Sequence, residues 1–130
     1  MAAAAARNLP LPDDTCVVAV PLHRVRRLHR GFNQSAEIAR LLAKQLGLRV
    51  DKHALRRVKS ERTAVFRSAR GRRRMARGAF RSPRHLGGRT LLLVDDVLTT
   101  GATLGACARA LYRRGARRIW AVTATRSLTP

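Results

Sequence analysis

Two of the seven acidic residues stand side by side at the end of an apolar run, in Leu92-Leu93-Val94-Asp95-Asp96. Adjacent carboxylates repel each other, so such a pair at a strand terminus calls for a cation or hydroxyl donors to hold it. Val97-Leu98-Thr99-Thr100-Gly101-Ala102-Thr103 follows, in which the threonines supply hydroxyls and Gly101 permits a tight turn. A helix starting at about Ala102 turns its first backbone N–H groups, and the positive end of its dipole, toward this loop. That is an anion site suited to a phosphate. In open α/β sheets ligands bind beyond the carboxyl ends of the strands. Acids able to hold sugar hydroxyls therefore precede a cradle able to hold a phosphate, and a phosphorylated sugar fits both. The plainer alternative is a strand end followed by an ordinary turn into a helix. A P-loop nucleotide site is excluded, because no G-x-x-x-x-G-K-[ST] occurs in the chain.

These residues need a scaffold, and the flanking patterns supply one. Cys16-Val17-Val18-Ala19-Val20, closed by Pro21, is short and β-branched and reads as a buried strand. A basic stretch from His23 to Arg30 ends at Gly31. Asn33 or Ser35 then caps a helix with Ile38, Leu41, Leu42 and Leu46 at helical spacing and Gly47 as its stop. Between Val50 and Pro83 the arginines crowd, which predicts a flexible basic loop over 58–83 with a short helix in it. Gly87-Gly88 turns the chain into Leu91-Leu92-Leu93-Val94, a continuous apolar run that fits a central parallel strand covered on both faces. Leu104, Cys107, Ala108 and Leu111 predict a second amphipathic helix ending at Gly115, and Ile119 to Ala124 another strand. Strand alternating with helix argues an α/β domain over residues 16–130 with a mainly parallel sheet, after a loose N-terminus over 1–15. There is no internal repeat.

Composition sets the outer bounds. The 130 residues carry a net charge of +21, with Lys44, Lys52 and Lys59 the only lysines among 28 basic residues. With 45% hydrophobic residues the chain can still build one core, which excludes a disordered basic tail. No apolar stretch approaches the roughly 18 residues of a membrane span. Met1 to Arg7 has no basic residue ahead of a long apolar segment and makes a poor secretory signal, so the expected location is cytoplasmic. Cys16 and Cys107 lie far apart inside apolar patterns and read as buried thiols. His23, His29, His53 and His85 lack metal-site spacing, so no zinc site is expected. The charge makes nucleic acid a partner to test, although aromatic residues at 4% leave few bases a platform to stack on.

Val94 to Thr103 resembles the phosphoribosyl diphosphate (PRPP) binding motif of type I phosphoribosyltransferases. More narrowly, Val20-Pro21-Leu22, Arg30-Gly31-Phe32-Asn33-Gln34, Arg77-Gly78-Ala79-Phe80 and Asp95 to Thr103 are similar, in this order and spacing, to the ComF family associated with bacterial competence. The likeness runs from about Cys16 to Arg126. It implies a three-layer, Rossmann-like fold in which Asp95 and Asp96 hold the ribose 2′- and 3′-hydroxyls, directly or with Mg²⁺. Thr99, Thr100, Gly101, Ala102 and Thr103 would take the 5′-phosphate. The loop after the first strand, with Leu22, His23 and Arg24, would meet the diphosphate, and Arg72 and Arg77 are further phosphate candidates. Asn33 and Gln34 either cap the helix or face the cleft. Superfamily members often dimerise, so a homodimer is an open expectation.

The same resemblance narrows the activity. Purine salvage enzymes for hypoxanthine and guanine typically carry an Asp where Thr99 stands, and its loss disfavours a 6-oxopurine acceptor. ComF-like sequences commonly begin with a Cys-rich zinc-binding region and a further helical segment, and the residues here align after both. The family's usual Gln and Asn fall at Ala64 and Met75, which weakens an expectation of turnover more than one of PRPP binding. The expected function is Mg²⁺-dependent PRPP binding, with transfer of ribose 5-phosphate to an unidentified nucleophile and release of diphosphate. No catalytic residue is assigned. The alternative is a non-catalytic, ComF-like component of DNA uptake that contacts single-stranded DNA.

Overall fold

The computed structural model describes residues 2–22, 33–58, 70, 77–98 and 100–126. Its elements are α1 (Ala2–Arg7), β1 (Cys16–Ala19), α2 (Gln34–Leu46), β2 (Arg49–Val50), β3 (Arg56–Arg57), β4 (Phe80–Arg81), β5 (Thr90–Leu98), α3 (Ala102–Arg113) and β6 (Arg118–Arg126). Four strands form one parallel sheet in the order β2-β1-β5-β6. The α/β class, the parallel sheet and the central place of Leu91 to Val94 are as the sequence predicts.

Alternation along the strands builds two cores. Cys16, Val18 and Val20 join Leu91 and Leu93 on one face, against Ala106, Cys107, Ala110 and Leu111 of α3. Val17, Leu92, Val94 and Val122 point the other way, against Ala39, Leu42 and Ala43 of α2. A strand buried on both faces has no polar side, which is why 91–94 reads as an unbroken apolar run. The result is a sheet between helical layers.

The sheet order has a functional consequence. From β1 the chain crosses through α2 to β2 on one side, whereas from β5 it crosses through α3 to β6 on the other. The direction of winding therefore reverses between β1 and β5, and a crevice opens there at the carboxyl ends of the strands. The register enlarges it. β1 pairs with β5 from Cys16 with Leu91 only as far as Ala19 with Val94, while β5 and β6 stay paired out to Leu98 with Arg126. Asp95 and Asp96 fall on the stretch where β5 has outrun β1 but keeps β6. The strand thus continues past the acid pair, which the sequence placed at its end.

Several expectations change. In place of a loose segment over 1–15, the alanine run forms α1, whose Ala6 is 1% exposed in the core with Ala3, Leu9 and Leu11 packed nearby. Alanine has the highest helix propensity and a side chain small enough for close approach, yet it carries little amphipathic signal. Leu41, expected on the buried face of α2, is 46% exposed. Arg56 and Arg57 pair antiparallel with Arg81 and Phe80 in a second small sheet that the polar pattern concealed. The Arg57 guanidinium stacks on the Phe80 ring at 4.9 Å. Most of the flexible basic loop expected over 58–83 lies outside the described residues.

The two leucines offer a test of this layering. Leu92→Ala, at a fully enclosed position, should cost about 2–5 kcal/mol in urea unfolding, and Leu41→Ala less than about 0.5. Equal losses would contradict it.

Candidate functional site

Asn33 begins the construction of the site. Its φ and ψ of −100° and 113° are extended, its Oδ1 accepts the Ser35 N–H at 3.0 Å, and its Nδ2 donates to the Val20 carbonyl at 3.1 Å. One side chain therefore both caps α2 and ties the helix start to the end of β1. Ser35 is then inside the first turn and buried, so it is not the cap. Its Oγ donates to Asp95 Oδ1 at 3.0 Å. The Asp96 backbone N–H donates to the same oxygen at 2.8 Å.

Asp95 is 8% exposed, and burial pushes its carboxyl up to about 6. The Asp96 N–H and the Ser35 hydroxyl pull it back down, while the neighbouring Asp96 carboxyl pushes it up. Asp96 is half-buried, and its carbonyl accepts from Thr125 Oγ1 of β6 at 3.2 Å. The two acids thus differ. Asp95 is enclosed and anchored, whereas Asp96 has the more open side chain.

Five residues further on, Gly101 sits at φ +79°, the left-handed region that favours glycine, at the start of α3. Its carbonyl accepts the Gly105 N–H at 2.8 Å, and Thr100 Oγ1 accepts the Ala102 N–H at 3.2 Å. Nothing acidic occupies the first turn of α3. A cavity of about 190 Å³ lies against this helix start, lined by Arg77, Thr100, Gly101, Ala102, Gly105 and Arg109.

A larger cavity of about 450 Å³ lies beside β1, with Leu22, Asn33, Glu37, Arg40, Asp51 and Lys52 in its wall. Arg40 Nη2 pairs with Glu37 at 2.5 Å there. Of the residues singled out in the sequence, the structure places Asp95 and Asp96 on β5 beyond its pairing with β1, in the wall of neither cavity, and Thr100, Gly101, Ala102 and Arg77 around the smaller one. Thr103 is half-buried in the first turn of α3, and Gln34 is exposed. His23, Arg24, Arg72 and Thr99 lie outside the described residues.

Two residues escaped the sequence reading. Ser35 was legible only as an alternative cap, and its tie to a residue sixty positions away has no local signal. Arg109, not considered there, is exposed on α3 and borders the smaller cavity. For a metal, Asp95 and Asp96 have no third partner, since no cluster of three His, Cys, Asp or Glu exists among the described residues. That pair does not make an all-protein cage. It does fit Mg²⁺, which is commonly held by one or two carboxylates together with water and substrate oxygens.

Residues 30–128 match the sequence pattern of the phosphoribosyl transferase domain. The chain belongs to that family. The chain is similar to the DNA utilization protein YhgH of Escherichia coli K12, 39% identical over 120 residues, 91% of this chain and 52% of that protein. Competence protein F of Haemophilus influenzae is 33% identical, over 86% of this chain and 49% of its own. Competence protein ComFC of Bacillus subtilis is 36% identical, over 80% and 41%. The chain spans about half the length of the curated relatives it matches. The fold is shared with a Thermus thermophilus protein, TT1426, at a TM-score of 0.54 and 17% identity over 98% of this chain and 81% of that one. A hypoxanthine phosphoribosyltransferase from Staphylococcus aureus gives 0.51 and 14%, over 94% and 65%. Among the described residues no helix is long and apolar enough to cross a membrane.

The buried acid makes stability depend on pH. Folding raises the Asp95 carboxyl from 3.8 to about 6, so between those values the folded state holds the proton more tightly than the unfolded chain. Its contribution is fully present below about pH 4 and is lost as pH rises through about 6, a change of order 2 kcal/mol. Asp95→Asn keeps an acceptor for Ser35 and Asp96 but removes the proton. Urea melts at pH 4 and pH 7 should show the wild type losing more stability than Asp95→Asn by about that amount. Parallel losses would show that the carboxyl is not perturbed by folding.

Proposed function

We propose that the chain binds PRPP with Mg²⁺ and transfers its ribose 5-phosphate to a nucleophile, releasing diphosphate. One observation carries this reading: the two carboxylates of β5 lie at the winding reversal of the sheet, a short loop from the open helix start of α3. Asp95 and Asp96 hold the ribose 2′- and 3′-hydroxyls. The loop from Thr99 to Thr103 receives the 5′-phosphate on backbone N–H groups and hydroxyls. Ser35 fixes the Asp95 carboxylate in place, so that the sugar meets a preset acceptor and little ordering is left to do on binding.

In the transfer, the C1–O bond to diphosphate breaks with its electron pair leaving on the diphosphate oxygen, and a lone pair of the nucleophile forms the new bond at C1. Negative charge grows on the leaving group, and positioned cations stabilise it. Leu22, His23 and Arg24, after β1, remain the candidates to face that group, with Arg72. Mg²⁺, when bound, offsets part of the same charge. Asp95 is ionised at neutral pH and is lost as a hydroxyl acceptor as the pH falls below about 6.

A second reading is favoured by the charge of +21 and by relatives named for DNA utilization: a domain that contacts single-stranded DNA without chemistry. Calorimetry separates the two. The wild type should bind PRPP in the presence of Mg²⁺, and Asp95→Asn/Asp96→Asn should weaken binding by tenfold or more, as expected for two lost charge-assisted contacts. Absence of heat with the wild type, or unchanged affinity in the double variant, would overturn the PRPP reading. Steeply salt-dependent binding of single-stranded DNA in a protein silent to PRPP would establish the second.

A further inference from the structure

The amino ends of the strands, opposite the crevice, carry a basic surface built from two loops. Residues 84–89 lead into β5 and residues 113–118 lead from the end of α3 into β6, and together they hold six arginines and His85 with no acid. Their backbones are joined. The Leu86 N–H donates to the Arg114 carbonyl at 2.7 Å, the Gly88 N–H to the Gly115 carbonyl at 2.8 Å, and the Arg117 N–H to the Arg89 carbonyl at 2.9 Å. The His85 ring lies so close to Gly115 that a Cβ there would come within 2.8 Å of it. The two loops thus form one continuous surface, with a hollow of about 150 Å³ lined by Arg84, His85, Leu86, Gly87 and Arg89.

Local structure does not account for all of these cations. The dipole favours arginine at a helix C-terminus, where Arg113 and Arg114 stand. Yet the Leu111 and Tyr112 carbonyls at that end already accept the N–H groups of Arg114, Gly115 and Ala116, so no side chain is needed to cap them. Arg117 and Arg118 lie beyond the helix. Arg84 pairs with Asp51, and Arg89 Nη1 donates to the Cys16 thiol at 3.7 Å. Arg113, Arg114, Arg117 and Arg118, by contrast, are exposed and meet no carboxylate among the described residues.

Tyr112 adds a flat apolar surface to this charge. It is 48% exposed in the last turn of α3, the one exposed aromatic residue among the described residues. Its hydroxyl accepts the Ile119 N–H at 3.1 Å, at the start of β6. The phenol is pinned at its polar end while its ring stays in solvent beside the unmatched arginines. A phosphodiester backbone answers the charge, and an unpaired base answers the ring. A single strand offers both, whereas a duplex hides the faces of its bases.

We infer that this amino-end surface binds single-stranded nucleic acid, with Arg113, Arg114, Arg117 and Arg118 on the phosphates and Tyr112 stacked on a base. From Thr90 to Asp95 the strand β5 separates it from the acid pair by roughly 16 Å. Binding there goes beyond the PRPP reading and does not depend on it, because the crevice opens at the other end of the sheet.

Fluorescence anisotropy with a labelled oligothymidylate of about 20 nucleotides tests it. Replacing the four arginines by Gln should weaken binding by about 100-fold or more at low salt, and lower the slope of log affinity against log salt by about 2 to 3. Replacing Lys52, Arg56, Arg81 and Arg126, which are exposed elsewhere, removes the same charge and should change affinity by less than about threefold. An equal loss would show a diffuse charge effect and overturn the surface. Tyr112→Ala should cost about tenfold, and Tyr112→Phe, which keeps the ring, less than about twofold. Equal losses for the two would overturn the stacking. PRPP added at constant Mg²⁺ should leave the oligonucleotide bound. Its displacement would put the strand in the crevice and overturn the inference, whereas a protein that binds the oligonucleotide but not PRPP loses only the crevice reading. Preference for duplex DNA, or for phosphatidylserine vesicles, over the single strand would overturn the partner.

Discussion

The site depends on holding a carboxylate inside a protein at a place where it must also be useful. Asp95 is buried at the point where β5 runs beyond β1, and a buried carboxylate without partners is costly enough to protonate. The Ser35 hydroxyl and the Asp96 N–H limit that cost by donating to one of its oxygens. Because Ser35 belongs to α2, the bond also joins the central strand to the helix that crosses to β2. Asn33 completes the connection by capping α2 and anchoring it to Val20. Strand end, helix start and acid are thus one hydrogen-bonded unit.

Opposite charges mark the acid pair of β5 and the small cavity at the start of α3. The acids gather on β5, and the smaller cavity collects arginine side chains and a helix start with none. A sugar phosphate has the same polarity, with hydroxyl donors at one end and a dianion at the other. The net charge of +21 reports none of this, because basic residues are spread through every segment. Two of the seven acids, by their placement, say more about the ligand than all the basic residues together.

The sheet was legible in the sequence because parallel strands buried on both faces write a simple pattern, as in Leu91 to Val94. Helix α2 was legible through Asn33 at its start and Gly47 at its end, where φ is +68°. The acid pair and the threonine loop stand out in the sequence because the proposed chemistry asks for those residue types at short spacing. What was hidden depended on distance or on weak local signal. Ser35 meets Asp95 across sixty residues, a tie that no local pattern announces. The alanines of α1 gave no amphipathic stripe, and the arginine-rich β3 and β4 pair in spite of their polarity, helped by Phe80.

The central claim is that one ligand spans the acids of β5 and the helix start of α3. A crystal structure of the chain soaked with PRPP and Mg²⁺ tests it most directly. The account predicts the ribose hydroxyls within hydrogen-bond distance of Asp95 and Asp96, with the 5′-phosphate against Thr100, Gly101 and Ala102. A ligand bound elsewhere on the surface, with this crevice empty at saturating PRPP, would contradict it.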